Sequence, residues 1–144
     1  MRSVRFKRSL VALYLAANMV GCGPGQIAAP DIAQQTQRLD QAIARLAAKD
    51  YVGAKENAQA ALTGAGLSSD QAIEASMILI ESAIETGDLD IADAKLKEVE
   101  SVSPDMGRVC VLRGRYWRKS GSESKAQTAF QDALRHDPNV IIPN

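Results

Sequence analysis

One histidine and two cysteines are the side chains of this chain that could serve as a base, a nucleophile or a soft metal ligand near neutral pH. His136 directly precedes Asp137 and Pro138, a sequence that ends a helix, and an imidazolium is stabilised at the negative helix end. We therefore predict that His136 caps a helix and is not a catalytic base. No combination of His, Cys, Asp and Glu in the sequence has the spacing of a metal site. The sequence predicts no enzyme activity, no metal and no cofactor.

Cys22 follows a segment that is typical of exported proteins. The segment is apolar from Leu10 to Val20, and it is too short to span a bilayer, which needs about 20 apolar residues. Four basic residues precede it: Arg2, Arg5, Lys7 and Arg8. A basic start followed by a short apolar stretch predicts a secretory signal peptide. The thiol of Cys22 is a nucleophile that could accept a lipid, and the small Gly21 would leave the preceding bond accessible to a peptidase.

The four residues from Met19 to Cys22 resemble the lipobox of bacterial lipoproteins, in which the cysteine is diacylated and becomes the new N-terminus. Met19 departs from the usual leucine. The resemblance implies a signal peptide over residues 1–21 and lipidation of Cys22. The alternatives are an ordinary signal peptide cut nearby and an uncleaved apolar anchor, and each also places the protein outside the cytoplasm. Because Gly23 and not Asp follows the cysteine, the resemblance favours the outer membrane, facing the periplasm.

The charge that remains after residue 21 argues against nucleic acid as a partner. The chain has 17 basic and 17 acidic residues; removing the four basic residues of the leader leaves 13 basic against 17 acidic, a net charge near −4. Acyl chains must then supply the membrane affinity, at about 0.8 kcal/mol per buried methylene. With Cys22 acylated, Cys110 has no partner for an intramolecular disulfide, so packing must stabilise the fold.

The remainder of the chain predicts helices. Residues 22–30, rich in Gly and Pro, are predicted to form a flexible tether between the lipid and the fold. From residue 31 onward the apolar residues recur at spacings of three and four, without the alternation of a strand. This pattern predicts an all-α domain over residues 31–139, followed by a C-terminal tail over residues 140–144.

Three stretches of the domain repeat one pattern of small and apolar residues at i, i+4 and i+7. They are Ala54, Ala58 and Ala61; Ala92, Leu96 and Val99; and Ala126, Phe130 and Ala133. The second and third stretches begin 34 residues apart, and the first and second begin 38 apart. The four extra residues fit in the turn-forming segment from Thr63 to Ser69.

The third stretch belongs to a larger signature, which comprises Gly114, Trp117, Ala126, Phe130 and Pro138. With these residues the chain resembles the tetratricopeptide repeat proteins, whose stacked helix pairs bind other proteins. The second repeat departs from the signature, with Ile80 and Ala83 in place of the glycine and the aromatic residue. The resemblance implies an α-α superhelix, or solenoid, of three helix pairs at about 35–68, 73–106 and 107–140. It also implies interior positions for Cys110 and Trp117.

Local signals predict several helix ends. Gly87 and Gly121 are predicted to end first helices in the left-handed conformation, which other residues adopt at a cost of about 1 kcal/mol. Lys49 stands at that position in the first unit, so its turn is predicted to be the least favourable. The predicted N-caps are Asp88 and Ser122 for the second helices and Ser68, with Gln71 as its capping-box partner, for the middle pair.

The resemblance places function on the concave face, which the first helix of each pair lines. Its outward positions are predicted to be Glu74, Met77, Glu81 and Glu85 in the second unit and Arg108, Val111, Arg115, Arg118 and Lys119 in the third. One interpretation is a groove in which the arginines bind an acidic segment or a C-terminal carboxylate of a partner. The alternative is that Glu74 and Glu81 form ion pairs with basic residues of the next unit, Arg108 and Arg115.

Two functional hypotheses follow. The leading one is a membrane-anchored adaptor or scaffold lipoprotein that binds a protein partner in the cell envelope, in the assembly of pili, secretion channels or outer-membrane complexes. The alternative is a small structural subunit whose repeat end packs permanently into a larger complex, an end that would also permit self-association. No small-molecule substrate is indicated, and the sequence does not identify the protein partner. Unpaired charge in the groove would favour the first hypothesis, and exposed apolar residues on the last helix or tail would favour the second.

Overall fold

The structure, a computed structural model, describes residues 32–143 and is all-helical over that range. The six helices of this part of the chain are α1 (Ile32–Ala47), α2 (Tyr51–Thr63), α3 (Ser69–Thr86), α4 (Leu89–Glu100), α5 (Met106–Lys119) and α6 (Glu123–His136). No strand occurs among residues 32–143, so the all-α prediction is confirmed there. The predicted signal peptide, Cys22 and the tether lie outside the described residues.

The helices pack in a layered order. Each helix contacts the next one along the chain, and α1 also contacts α3, as α3 contacts α5. Within residues 32–143, α2, α4 and α6 contact only the helices adjacent to them in sequence. The connections are short, which makes neighbouring helices antiparallel. The odd-numbered helices therefore form one layer, and the even-numbered helices pack on it.

Three apolar clusters lie between the helices. One is formed by α1, α2 and α3 and centres on Leu39, Ala58 and Ile78. A second joins α3, α4 and α5. The third joins α5 and α6 and includes Cys110, which is buried as predicted, whereas Trp117 packs against this cluster and is only partly buried. Because α3 contributes to two clusters from opposite sides, it has nine buried residues.

Small residues permit the closest helix contacts. A Cβ atom at Gly114 would lie 2.3 Å from Cε1 of Phe130, so only glycine allows the Phe130 ring to lie directly on α5. The alanines of the repeated pattern, such as Ala58 and Ala126, are fully buried. The i, i+4, i+7 pattern in the sequence therefore marks the faces on which the helices meet.

The ends of the helices largely follow the local signals. Gly87 and Gly121 have φ values of 85° and 81°, as predicted, and Lys49, at 59°, is the one non-glycine residue with positive φ among residues 32–143. The capping box of Ser68 and Gln71 is complete, because each side chain accepts a hydrogen bond from the backbone N–H of the other residue.

The predicted caps of α4 and α6 are corrected. Asp88 and Ser122 occupy the N-cap positions, but neither side chain makes a cap hydrogen bond. The Asp88 carboxylate instead accepts hydrogen bonds from Lys55, on α2, and from Thr86 at 2.7 Å. A lysine within reach provides a charged partner, which binds a carboxylate more strongly than a neutral backbone N–H does.

Candidate partner-binding face

The side chains predicted for the concave face lie on α3 and α5, which are neighbours in the odd-numbered layer. Glu74 and Glu81 are seven residues apart on α3, and Arg108 and Arg115 are seven apart on α5. Because seven residues make two helical turns, each pair shares one face of its helix. The structure brings the two faces together, with acidic side chains against basic ones.

Arg108 forms a two-point ion pair with Glu74. Its Nη1 lies 2.6 Å from Glu74 Oε2 and its Nη2 lies 3.0 Å from Oε1. Burial lowers the pKa of Arg108, but the hydrogen bonds and the negative charge of Glu74 outweigh it, so the net pKa is raised. The guanidinium is therefore held in its charged form and fixed in orientation by α3.

Arg115 joins two glutamates. Its Nη1 donates to Glu81 at 2.6 Å and its Nη2 donates to Glu85 at 2.7 Å. The Arg115 side chain is only 19% exposed. Burial lowers its pKa, and the hydrogen bonds to Glu81 and Glu85 raise it further than burial lowers it. The predicted ion-pair alternative, in which Glu74 and Glu81 pair with Arg108 and Arg115, is thus the geometry found. Glu85 is a further partner of Arg115 that the sequence did not predict.

Two of the predicted outward positions are corrected, because Met77 is 1% exposed and Val111 is 8% exposed. Met77 packs in the cluster between α3, α4 and α5, and Val111 packs in the cluster between α5 and α6. Met77 and Val111 are three positions after Glu74 and Arg108, so each points about 60° away from that residue around the helix axis. This direction places them against the neighbouring helices and not on the open face. Neither side chain lines the candidate face.

Arg118 and Lys119 form the part of the face that makes no ion pair with α3. Arg118 Nη1 donates to the Pro143 carbonyl at 3.0 Å, and Nε lies 4.0 Å from the Glu123 carboxylate. The Arg118 guanidinium also lies 4.7 Å from the centre of the Phe130 ring. The Lys119 side chain is exposed and makes no hydrogen bond or ion pair with another residue of the described range. Both basic residues therefore remain available to solvent at the end of α5.

An open cleft lies beside these two residues. It is lined by Ile84, Glu85, Arg115, Arg118, Lys119 and Pro143. Ile84 forms an apolar wall, and Glu85 and Arg115 form an ion pair beside it. The other walls are the two exposed cations and the end of the C-terminal tail at Pro143. Such a cleft could accept a polar or acidic segment, with hydrogen-bond donors on one side and apolar contact on the other.

The outer surface at the C-terminal end of the array is mostly polar. Along α6 the exposed residues are charged or polar apart from Leu134, which is 44% exposed. In the tail, Ile141 is 85% exposed, while Val140 and Ile142 pack on the third cluster. The sequence could not place Pro143 beside Arg118, because no local pattern encodes a contact between residues 25 positions apart.

The remaining candidate groups have separate positions. His136 is exposed in the last turn of α6, as predicted. Cys110 is buried, and burial raises the pKa of its thiol, which disfavours the reactive thiolate. Within residues 32–143, no group of three or more His, Cys, Asp and Glu side chains could hold a metal ion. The same residues include no helix with the length and apolar content that crossing a bilayer requires.

Comparisons of this chain with protein-family models, with curated proteins and with solved structures found no match.

Proposed function

We propose that this protein is a lipid-anchored adaptor of the cell envelope, built as a tetratricopeptide solenoid, and that it binds a segment of a protein partner at the end of the α3–α5 face. The observation that carries the proposal is the open cleft beside Arg118 and Lys119. There the layer of odd-numbered helices presents Lys119, whose side chain has no ion-pair partner among residues 32–143, and Arg118, whose ion pair with Glu123 is long at 4.0 Å. The signal-like segment ending at Cys22 supplies the anchor in this proposal.

The other arginines have a structural role in this proposal. Arg108 and Arg115 hold the glutamates of α3, so they fix α5 against α3 and leave little net charge for a partner. Replacing either one would leave a partly buried carboxylate without its partner, which destabilises the fold. A binding test must therefore leave these two residues unchanged.

The test is capture of partners by the full, lipidated protein from a detergent extract of the envelope, followed by mass spectrometry. The test variant is Arg118→Glu/Lys119→Glu. The control of equal charge change is Lys97→Glu/Arg135→Glu, which reverses two charges on α4 and α6 whose side chains are 71% and 73% exposed. We expect a protein that the unchanged chain and the control capture and that the test variant loses at least tenfold.

A captured protein that both variants retain would contradict the assignment of the cleft. It would instead support the structural-subunit alternative, which the exposed Leu134 and Ile141 at the C-terminal end favour. The substitutions Leu134→Ser and Ile141→Ser would then be expected to release that protein.

A further inference from the structure

The C-terminal tail covers a surface of α5 that no helix of the described range covers. Among the odd-numbered helices, α3 covers one side of α5, just as α1 covers one side of α3. Beyond α5 no seventh helix follows among the described residues. Val140 and Ile142 pack there, against the cluster that contains Val111 and Phe130. The tail thus takes the position that a following helix would occupy.

The tail runs along the whole length of α5. It begins beside Gly107, where an added Cβ would lie 2.9 Å from Asp137 Cβ, and it ends where Arg118 binds the Pro143 carbonyl. Eleven residues of helix span about 16 Å. Residues 137–140 form a turn, in which Val140 N–H donates to the Asp137 carbonyl at 3.1 Å. The residues from Val140 to Pro143, which lie in no helix or turn, and the long Arg118 side chain span the rest of the distance.

The exposure of the tail agrees with an extended segment. Val140 and Ile142 are half-buried against the third cluster, whereas Ile141 between them is 85% exposed. This alternation is the one that an extended backbone produces on a surface. The covered surface therefore accepts an extended segment with apolar residues at alternate positions, and Arg118 holds its backbone carbonyl.

Few contacts hold the tail in place. They comprise two half-buried side chains and the hydrogen bond from the exposed Arg118, together with a turn in which Asn139 N–H donates to the Asp137 side chain and Val140 N–H donates to the Asp137 carbonyl. The buried members of the third cluster all belong to α5 and α6, and the tail adds two half-buried side chains to them, so we expect the tail to leave without unfolding the helices. The tail of a second copy has the same residues and would make the same contacts, which is the condition for exchange of an identical element between copies.

We propose that the α5–α6 surface is a binding site for an extended apolar segment, occupied in this structure by the chain's own tail, and that the tail of a second copy can occupy it in trans. Attachment to the same chain gives the tail an effective concentration of about millimolar, so the internal arrangement prevails at low protein concentration. This inference shares Arg118 with the adaptor proposal, but it uses neither the membrane anchor nor an external partner, and its tests leave Arg118 and Lys119 unchanged, so the failure of one proposal is distinguishable from the failure of the other.

The first experiment uses the full chain in detergent and a dye-labelled peptide of residues 137–144. The variant Val140→Asp/Ile142→Asp frees the surface, and Ile141→Asp is the matched control, since that residue is exposed. We expect the double variant to bind the peptide at least about tenfold more tightly than either the unchanged chain or the control. A peptide that carries the same two aspartates should not bind, and circular dichroism should show equal helix content in all chains. Equal affinity for the three chains, or no binding to any, would overturn the proposed site.

The second experiment tests the second copy. Native mass spectrometry of the full chain at rising concentration should show dimers for the unchanged chain and for Ile141→Asp, and at least tenfold fewer for Val140→Asp/Ile142→Asp. Dimers that persist in the double variant, or an absence of dimers in the unchanged chain, would overturn the second copy as the occupant.

Discussion

Gly114 lies where α5 passes closest to α6. An exposed glycine inside a helix is normally improved by alanine, by about 1 kcal/mol, because alanine loses less conformational entropy on folding. At Gly114 the added Cβ would lie 2.3 Å from the Phe130 ring, which is closer than two carbon atoms can approach. The steric effect must therefore exceed the gain in helix propensity.

We expect Gly114→Ala to lower the free energy of unfolding by about 1–3 kcal/mol, the usual effect of overpacking a core. Urea unfolding followed by circular dichroism measures the change. Ala94→Gly, at an exposed site in α4, is the control, and it should cost about 0.5–1 kcal/mol through backbone entropy alone. A Gly114→Ala chain that is more stable than the unchanged protein would refute the close contact.

Asp88 gives the stability a dependence on pH. Hydrogen bonds from Lys55, and then from Thr86, hold the pKa of this carboxyl below its ordinary value. The ionised form is therefore favoured by folding. Its contribution is present above the pKa of the unfolded chain, about 3.9, and is lost as the pH falls through the lower pKa of the folded chain.

We expect Asp88→Asn to be less stable than the unchanged protein at pH 7, and the difference to shrink steadily below about pH 4. Thermal unfolding of both proteins across that range measures it. Asp40→Asn, at an exposed position on α1, controls for the general effect of removing one charge. A difference for Asp88→Asn that stays constant from pH 7 to pH 2 would rule out the ion pair as its source.

At the scale of elements, the sequence predicted what depends on neighbours along the chain. The capping box of Ser68 and Gln71 involves residues three positions apart, and the turns at Gly87 and Gly121 depend on backbone conformation alone. Sequence reasoning failed where a helix meets other elements. The burial of Met77 and the pairing of Asp88 with Lys55 depend on which elements surround the residue, and no local signal encodes that.

The capping box provides a matched pair of substitutions. Ser68→Ala removes the hydrogen bond to the Gln71 N–H at the start of α3, and we expect a loss of about 1 kcal/mol in the free energy of unfolding. Ser122→Ala changes the same residue type at the N-cap of α6, where the side chain makes no cap hydrogen bond. That loss should stay below about 0.5 kcal/mol. Equal losses in chemical unfolding would show that the hydrogen bond of Ser68 contributes nothing specific.

For the whole molecule, the sequence predicted the all-helical class and the succession of helix pairs along the chain, because the spacing of apolar residues and the turn residues determine them. It left open whether the charged face binds a partner or pairs with itself. That outcome depends on side-chain positions across two helices, and the structure pairs Glu74, Glu81 and Glu85 while leaving Lys119 without a partner among residues 32–143.

The proposed anchor concerns the whole molecule, and the two cysteines permit a direct test. We expect Cys22→Ser to leave the chain unprocessed and without lipid, since serine lacks the thiol that the lipid transfer requires. Intact-mass measurement and separation of membrane fractions would show the change. Cys110→Ser is the control, because that thiol is buried in the third cluster. Its replacement should change neither the cleavage and lipidation seen in the intact mass nor the membrane fraction in which the protein is found. Loss of lipid in both variants, or in neither, would contradict the anchor.

The ion pairs between α3 and α5 also bear on how the two helices find their alignment. The partners in both Arg108–Glu74 and Arg115–Glu81 are 34 residues apart, so the two helices run in the same direction. A slide of α5 by two turns would still pair one arginine, because the charges recur every seven residues. In one direction Arg108 would meet Glu81 and Glu85, and in the other Arg115 would meet Glu74 alone. Only the observed register pairs both arginines and engages three glutamates. The charges therefore distinguish the sliding registers by the number of partners each one provides, and the observed register provides the most.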